Sequence, residues 1–204
     1  MSMRLKKLMA LFKTKGLSGL VRTVFVFLNY HLRDKWRFTY FELGLSEKPF
    51  SLPDPGDSMT IRLLMPEDID RFKADVYPFM TDKQEYDKRF IKDLSDGNCF
   101  FFIAEQSGRI VHYFVGFKNA LNSPLMDTPF KKHLVRPDDA YLGNAFTVPY
   151  ARGHWIVPHV VLKIFDYLKN ESTANRALLL IHEDTPGAAG FFKRLGFNEI
   201  ANNY

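Results

Sequence analysis

Apolar side chains recur along the chain with two different periods, and the change of period divides it. In the first forty residues the spacing is helical: Leu5, Leu8, Met9 and Phe12 share a face with lysines between them, and Leu17, Leu20, Val21, Val24, Phe25, Leu28 and Leu32 repeat the stripe after Gly16. Residues 1–45 are therefore predicted to form a basic, amphipathic helical arm. Three prolines and a glycine in SEKPFSLPDPGDS predict an extended linker over 46–58. From 59 to 204 the pattern is that of one mixed domain. A strand at 59–65 gives way at Pro66 to a helix reaching about Tyr77, where proline suits a first turn and Glu67 and Asp68 complement the helix dipole. A second helix is predicted at 83–95. Aromatic and β-branched runs at 98–106 and 109–119, joined by Ser107-Gly108, predict a hairpin. A polar stretch at 120–138 follows, then a strand at 140–148, a short basic loop and a helix at 155–169. A strand at 176–183, a short helix at 186–194 and a last strand from Gly196 complete the order. This succession predicts an α/β domain on a mixed, mostly antiparallel sheet with helices on both faces.

Charge changes the picture only for the arm. Residues 1–41 hold nine basic side chains against the single acid Asp34, a surplus larger than the +5 of the whole chain, so the remainder is net acidic. Neither a nucleic-acid reader motif nor aromatic-basic interleaving accompanies the arm, and no nucleic-acid partner is expected. Two readings of residues 1–41 stay open: packing on the sheet or on a partner chain of a homodimer, or peripheral docking on an anionic membrane surface. Arg22 interrupts the best apolar run and no small-x-small cleavage pattern follows it, so neither a membrane span nor a secretory signal is expected. The lone cysteine, Cys99, lies in an apolar run; it allows no internal disulfide and fits a reducing, cytoplasmic location.

Candidate chemistry lies between the strand ending at Val148 and the helix opening near Trp155. There Pro149-Tyr150-Ala151-Arg152-Gly153-His154 leads into a helix N-terminus, whose unpaired amides and dipole suit a diphosphate, and Arg152 adds a fork of donors. His154 and His159 are five apart, on different helix faces, and form no metal pair; no metal is expected.

Two blocks here resemble the GNAT superfamily of acyl-coenzyme A-dependent N-acyltransferases. Thr147-Val148-Pro149-Tyr150-Ala151-Arg152-Gly153 is similar to its V-x-P-x-x-R-G, and Ala188-Ala189-Gly190-Phe191-Phe192-Lys193-Arg194-Leu195-Gly196-Phe197 to its A-x-x-x-Y-x-K-x-G-F ending. The resemblance implies an N-acetyltransferase that moves an acyl group from acetyl-CoA to a primary amine of a small molecule, such as an amino sugar or a cell-surface polysaccharide precursor. It implies that the pantetheine arm lies along Ala145, Phe146 and Thr147 between two splayed strands. It further implies that the backbone of Arg152, Gly153, His154, Trp155, Ile156 and Val157 receives the pyrophosphate. The chain departs from the family pattern at Trp155 and Val157, where small residues are usual, and at Phe192, which replaces a proton-donating tyrosine. A GNAT-like binding module without catalysis is accordingly the alternative. For the general base the candidates are His182 at the end of its strand, Asp139, and Tyr141 acting through water. Relatives commonly add a further strand beside the last one, so three readings of that side stand: open, completed by the arm, or completed by a second subunit.

Overall fold

The computed structural model describes residues 38–46, 52, 59–80, 97–127, 132–182, 185 and 187–202. Contacts divide the chain into a body, Thr39–Ala201, and a second unit of Met1–Phe38 with Asn202–Tyr204. The two arm helices, the helix expected at 83–95 and most of the linker lie outside the described residues.

The body is built on a seven-stranded sheet of β1 (Phe38–Gly44), β2 (Met59–Leu63), β3 (Cys99–Gln106), β4 (Arg109–Phe117), β5 (Asp139–Thr147), β6 (Arg176–His182) and β7 (Asn198–Asn202). Its spatial order is β2-β3-β4-β5-β6-β1-β7. The pairs β2–β3, β3–β4 and β4–β5 are antiparallel, whereas β5–β6 is parallel and is joined by the crossover helix α2 (Ile156–Glu171). The expected mixed sheet is thus present, with one correction. Phe38–Gly44, included in the helical arm by its boundary at residue 45, is a strand between β6 and β7. Its sequence FTYFELG carries the aromatic and β-branched residues that fit a pleated surface, and Tyr40, Phe41 and Leu43 are buried there. The further strand expected beside the last one therefore comes from the same chain.

Both faces of the central strands are covered, which is why β3 and β4 read as unbroken apolar runs rather than alternating ones. Phe100, Phe102, Ala104 and Phe114 pack under α2 and the short helix α3 (Ala188–Arg194), through Val160, Val161, Ile164, Phe165 and Phe192. Phe101, Ile103, Tyr113, Val115 and Phe117 face the opposite way, against Phe72 and Val76 of α1 (Ile69–Val76). Gly116 is required by this packing: a Cβ there would stand 2.2 Å from Cζ of Phe100. The helix expected from Pro66 opens instead as a 3-10 turn, Pro66–Asp68, before α1 begins. Asp68 accepts from Arg62, Arg71 and the Met65 amide, and Glu105 joins both arginines, so this charge cluster ties α1 to β2 and β3.

Candidate functional site

Strands β5 and β6 part company halfway along. Their register runs from Asp139↔Arg176 to Leu142↔Leu179 and stops, leaving Gly143–Thr147 of β5 and Leu180–His182 of β6 without each other. The cause lies on the other edge of β5. In its register with β4, Phe114 faces Ala145 and Gly116 faces Leu142, so Gly143 and Asn144 together oppose Val115. An extra residue in one strand bends it and increases its twist, and here the bend falls where β5 leaves β6. Gly143 suits the crowding, since a Cβ at that position would lie 3.3 Å from the Val115 carbonyl oxygen. Beyond it Asn144 and Ala145 are exposed, and Phe146 and Thr147 are half-buried.

The loop that follows is held from both ends. The Val148 amide donates to the Val111 carbonyl at 2.9 Å, Pro149–Ala151 forms a 3-10 turn, and Ala151 is buried. Arg152 folds back toward β5: its Nε donates to the Thr147 carbonyl at 3.2 Å and its guanidinium lies 5.9 Å from the Phe146 ring centroid. Gly153 has φ +85° and Trp155 φ +57°, so the chain turns through left-handed conformations on either side of His154 before entering α2. No side chain caps α2, and the amides of Trp155, Ile156 and Val157 meet no acceptor among the described residues. The result is an electropositive helix end open to an anion. The Trp155 indole is 66% exposed; Gly153 and His154 are also exposed, Ile156 is buried and Val157 half-buried.

The residues expected to bind the cofactor, Ala145 to Thr147 and Arg152 to Val157, are thus contiguous along the open end of the sheet. The three candidate bases are not together. Because β5 and β6 are parallel, His182 at the end of β6 lies at the same end of the sheet as Thr147; its carbonyl accepts from the Thr185 amide at 3.0 Å. Asp139 begins β5, roughly 26 Å from Thr147 at about 3.3 Å per residue. Its carboxylate is fully buried and occupied: Arg176 donates from Nε at 2.7 Å and from Nη2 at 2.6 Å, and the Arg136 amide at 2.7 Å. Arg176 also pairs with Glu42 of β1, so Asp139 belongs to a structural joint between three strands, which removes it as a base. Tyr141 stands two residues before the gap, stacked on Phe117 at 6.1 Å. Burial, reinforced by the nearby Tyr40, pushes its phenol up to about 12. It therefore keeps its proton at neutral pH. Phe192 is buried against Phe197 in the core. Sequence reasoning passed over His112, which β4 places opposite Thr147 and whose Nδ1 lies 2.8 Å from Thr147 Oγ1. Only strand register reveals that pairing. Among the described residues no cluster of His, Cys, Asp and Glu is placed to hold a metal, and no helix is long and apolar enough to cross a membrane.

Comparison with known proteins follows the same outline. Residues 66–197 match the sequence profile described as the Acetyltransferase (GNAT) family. No curated protein sequence matches the chain. Among solved structures, a GCN5-related N-acetyltransferase from Sphaerobacter thermophilus superposes with a TM-score of 0.59 at 16% identity, over 89% of this chain and 54% of that one. The aminoglycoside acetyltransferase AAC(6')-Iy, in complex with the bisubstrate analogue CoA-S-monomethyl-acetylneamine, gives 0.57 at 11% identity over 70% of this chain and 92% of that one. The aminoglycoside 6'-N-acetyltransferase AAC(6')-Ih from Acinetobacter baumannii gives 0.52 at 16%, over 70% and 92%. At such identities the likeness is one of fold.

Proposed function

As the chain belongs to the acetyltransferase (GNAT) family, we propose that it transfers an acetyl group from acetyl-CoA to a primary amine on a small molecule, an amino sugar or cell-surface precursor being the favoured class. The observation that carries this reading is the parting of β5 and β6 beside the uncapped start of α2. The β5 backbone at Ala145, together with the Thr147 amide, faces the gap and offers hydrogen-bonding groups to an extended amide-bearing arm, and the free amides at Trp155 to Val157 offer a socket for a diphosphate. Arg152 adds a fixed positive charge at the mouth.

The chemistry required is modest. A neutral amine attacks the thioester carbonyl, the C–N bond forms, the C–S bond breaks, and the amine's surplus proton leaves while the thiolate gains one. Holding the two reactants in line supplies much of the rate. His182 is the base we assign, being the candidate that β6 places at the open end of the sheet. The departing thiolate takes its proton from solvent, since Phe192 offers none. The cytoplasm is the compartment we assign, in keeping with the single cysteine.

Calorimetry with acetyl-CoA tests the binding half of the reading, and release of free thiol on addition of amines tests the chemical half. Binding without thiol release from any amine would favour the catalytically silent module, and absence of binding would end both. For His182→Ala we expect kcat to fall on the order of 100-fold with acetyl-CoA affinity retained.

A further inference from the structure

His112 is fully buried on β4, on the same side of the sheet as Phe114, whose ring centroid is 6.3 Å away. One ring nitrogen, Nδ1, meets Thr147 Oγ1 at 2.8 Å; the other, Nε2, is buried with no hydrogen-bond partner among the described residues. A leucine or phenylalanine would occupy such a position without orphaning a polar atom, so apolar packing alone gives no reason for an imidazole here. Desolvation keeps the ring neutral, its pKa pushed down to about 3. A neutral imidazole has one N–H, and the two tautomers differ in what they leave unpaired. A proton on Nε2 would strand a buried donor, whereas a proton on Nδ1 strands only a lone pair, the lesser penalty. Nδ1–H therefore donates, and the Thr147 hydroxyl accepts.

That assignment frees the hydroxyl's own hydrogen to point away from His112. Thr147 ends β5, in the stretch that has lost its β6 partner, and is half-buried at the edge of the gap, with its carbonyl already engaged by Arg152 Nε. We propose that His112 is a positioning residue that fixes the Thr147 hydroxyl as a hydrogen-bond donor to an acceptor oxygen of acetyl-CoA, and so sets affinity for that substrate without touching it. The proposal rests on the reading that acetyl-CoA occupies the β5–β6 gap.

The test compares the full-length protein with His112→Leu, His112→Asn, Thr147→Val and the His112→Leu/Thr147→Val pair. Calorimetry with coenzyme A, initial rates against acetyl-CoA and the urea unfolding midpoint are measured for each. Loss of one oriented hydrogen bond should weaken coenzyme A binding about tenfold in His112→Leu and in Thr147→Val, with the loss falling on KM rather than on kcat. The pair should be no weaker than either single variant, because the two side chains act as one unit. His112→Asn, whose amide can also donate to Oγ1, should recover part of the affinity. A His112→Leu protein with an altered unfolding midpoint but unchanged coenzyme A affinity would overturn the proposal, as would losses that add in the pair. Should His112→Leu fail to fold, undiminished binding by Thr147→Val overturns it equally. If the unsubstituted protein binds no coenzyme A, the acetyltransferase reading falls, and this proposal with it.

Discussion

At Trp155 the backbone is held at φ +57° and ψ +17°, a region in which an L side chain crowds the following carbonyl. Ser107, the other non-glycine residue with positive φ among the described residues, sits in the β3–β4 hairpin turn beside Gly108, where such angles are usual. Trp155 has no such excuse, and with its indole largely in solvent it recovers little by burial. Trp155→Gly should therefore raise stability by about 1 kcal/mol, read as a higher urea midpoint with an unchanged m-value. The same variant restores the small residue usual in the family at this point of the loop. A midpoint that falls would mean that the indole makes a stabilising contact in solution.

Between elements, one joint binds β5, β6 and β1 through Asp139, Arg176 and Glu42. Its carboxylate is inaccessible, so removal of the guanidinium leaves a buried charge with no counter-charge and only the Arg136 amide to meet it. Arg176→Met should cost about 3–5 kcal/mol, and adding Asp139→Leu should recover most of it; denaturant unfolding of the two variants checks both. This joint also shows where sequence reading stops. The hairpin of β3 and β4, and the order of β5, loop, α2 and β6, were legible because each is marked by local signals: aromatic runs, a Ser-Gly turn, a helical stripe after a basic loop. Asp139 was misread because alternation along a strand reports its face but not its partner, and that partner is 37 positions away. β1 was missed for the same reason on a larger scale, since its neighbours β6 and β7 lie at the other end of the sequence and the helical stripe before it masked its own β-like composition. The gap between β5 and β6 was expected from motif resemblance, yet its physical cause, two residues of β5 set against one of β4, is a matter of register that no single strand displays.

At the scale of the whole molecule, two buried groups among the described residues tie stability to acid pH. The folded pKa of His112, about 3, lies below its ordinary 6.5, so between those values the unfolded chain takes up a proton that the folded one refuses. Stability then falls as pH drops from about 6.5 toward about 3, with a slope approaching ~1.4 kcal/mol per pH unit. Asp68 acts lower: its hydrogen bonds from Arg62 hold the carboxyl well below its ordinary 3.8, and the stability it contributes is present above that value and is lost as pH falls further. Urea midpoints measured from pH 7 down to about pH 2 should show both effects, and His112→Leu should flatten the upper part alone.

The placement of β1 also shapes how the protein is made. A ribosome releases Phe38–Gly44 more than a hundred residues before β6 and β7 exist to flank it, which at ordinary rates of synthesis is a wait on the order of ten seconds. Throughout that interval Tyr40, Phe41 and Leu43 have no sheet to enter. The nascent chain thus carries a sticky, unpaired segment until its final portion emerges, and any message truncated before β6 would yield a product that displays it permanently, a natural target for chaperones and proteases.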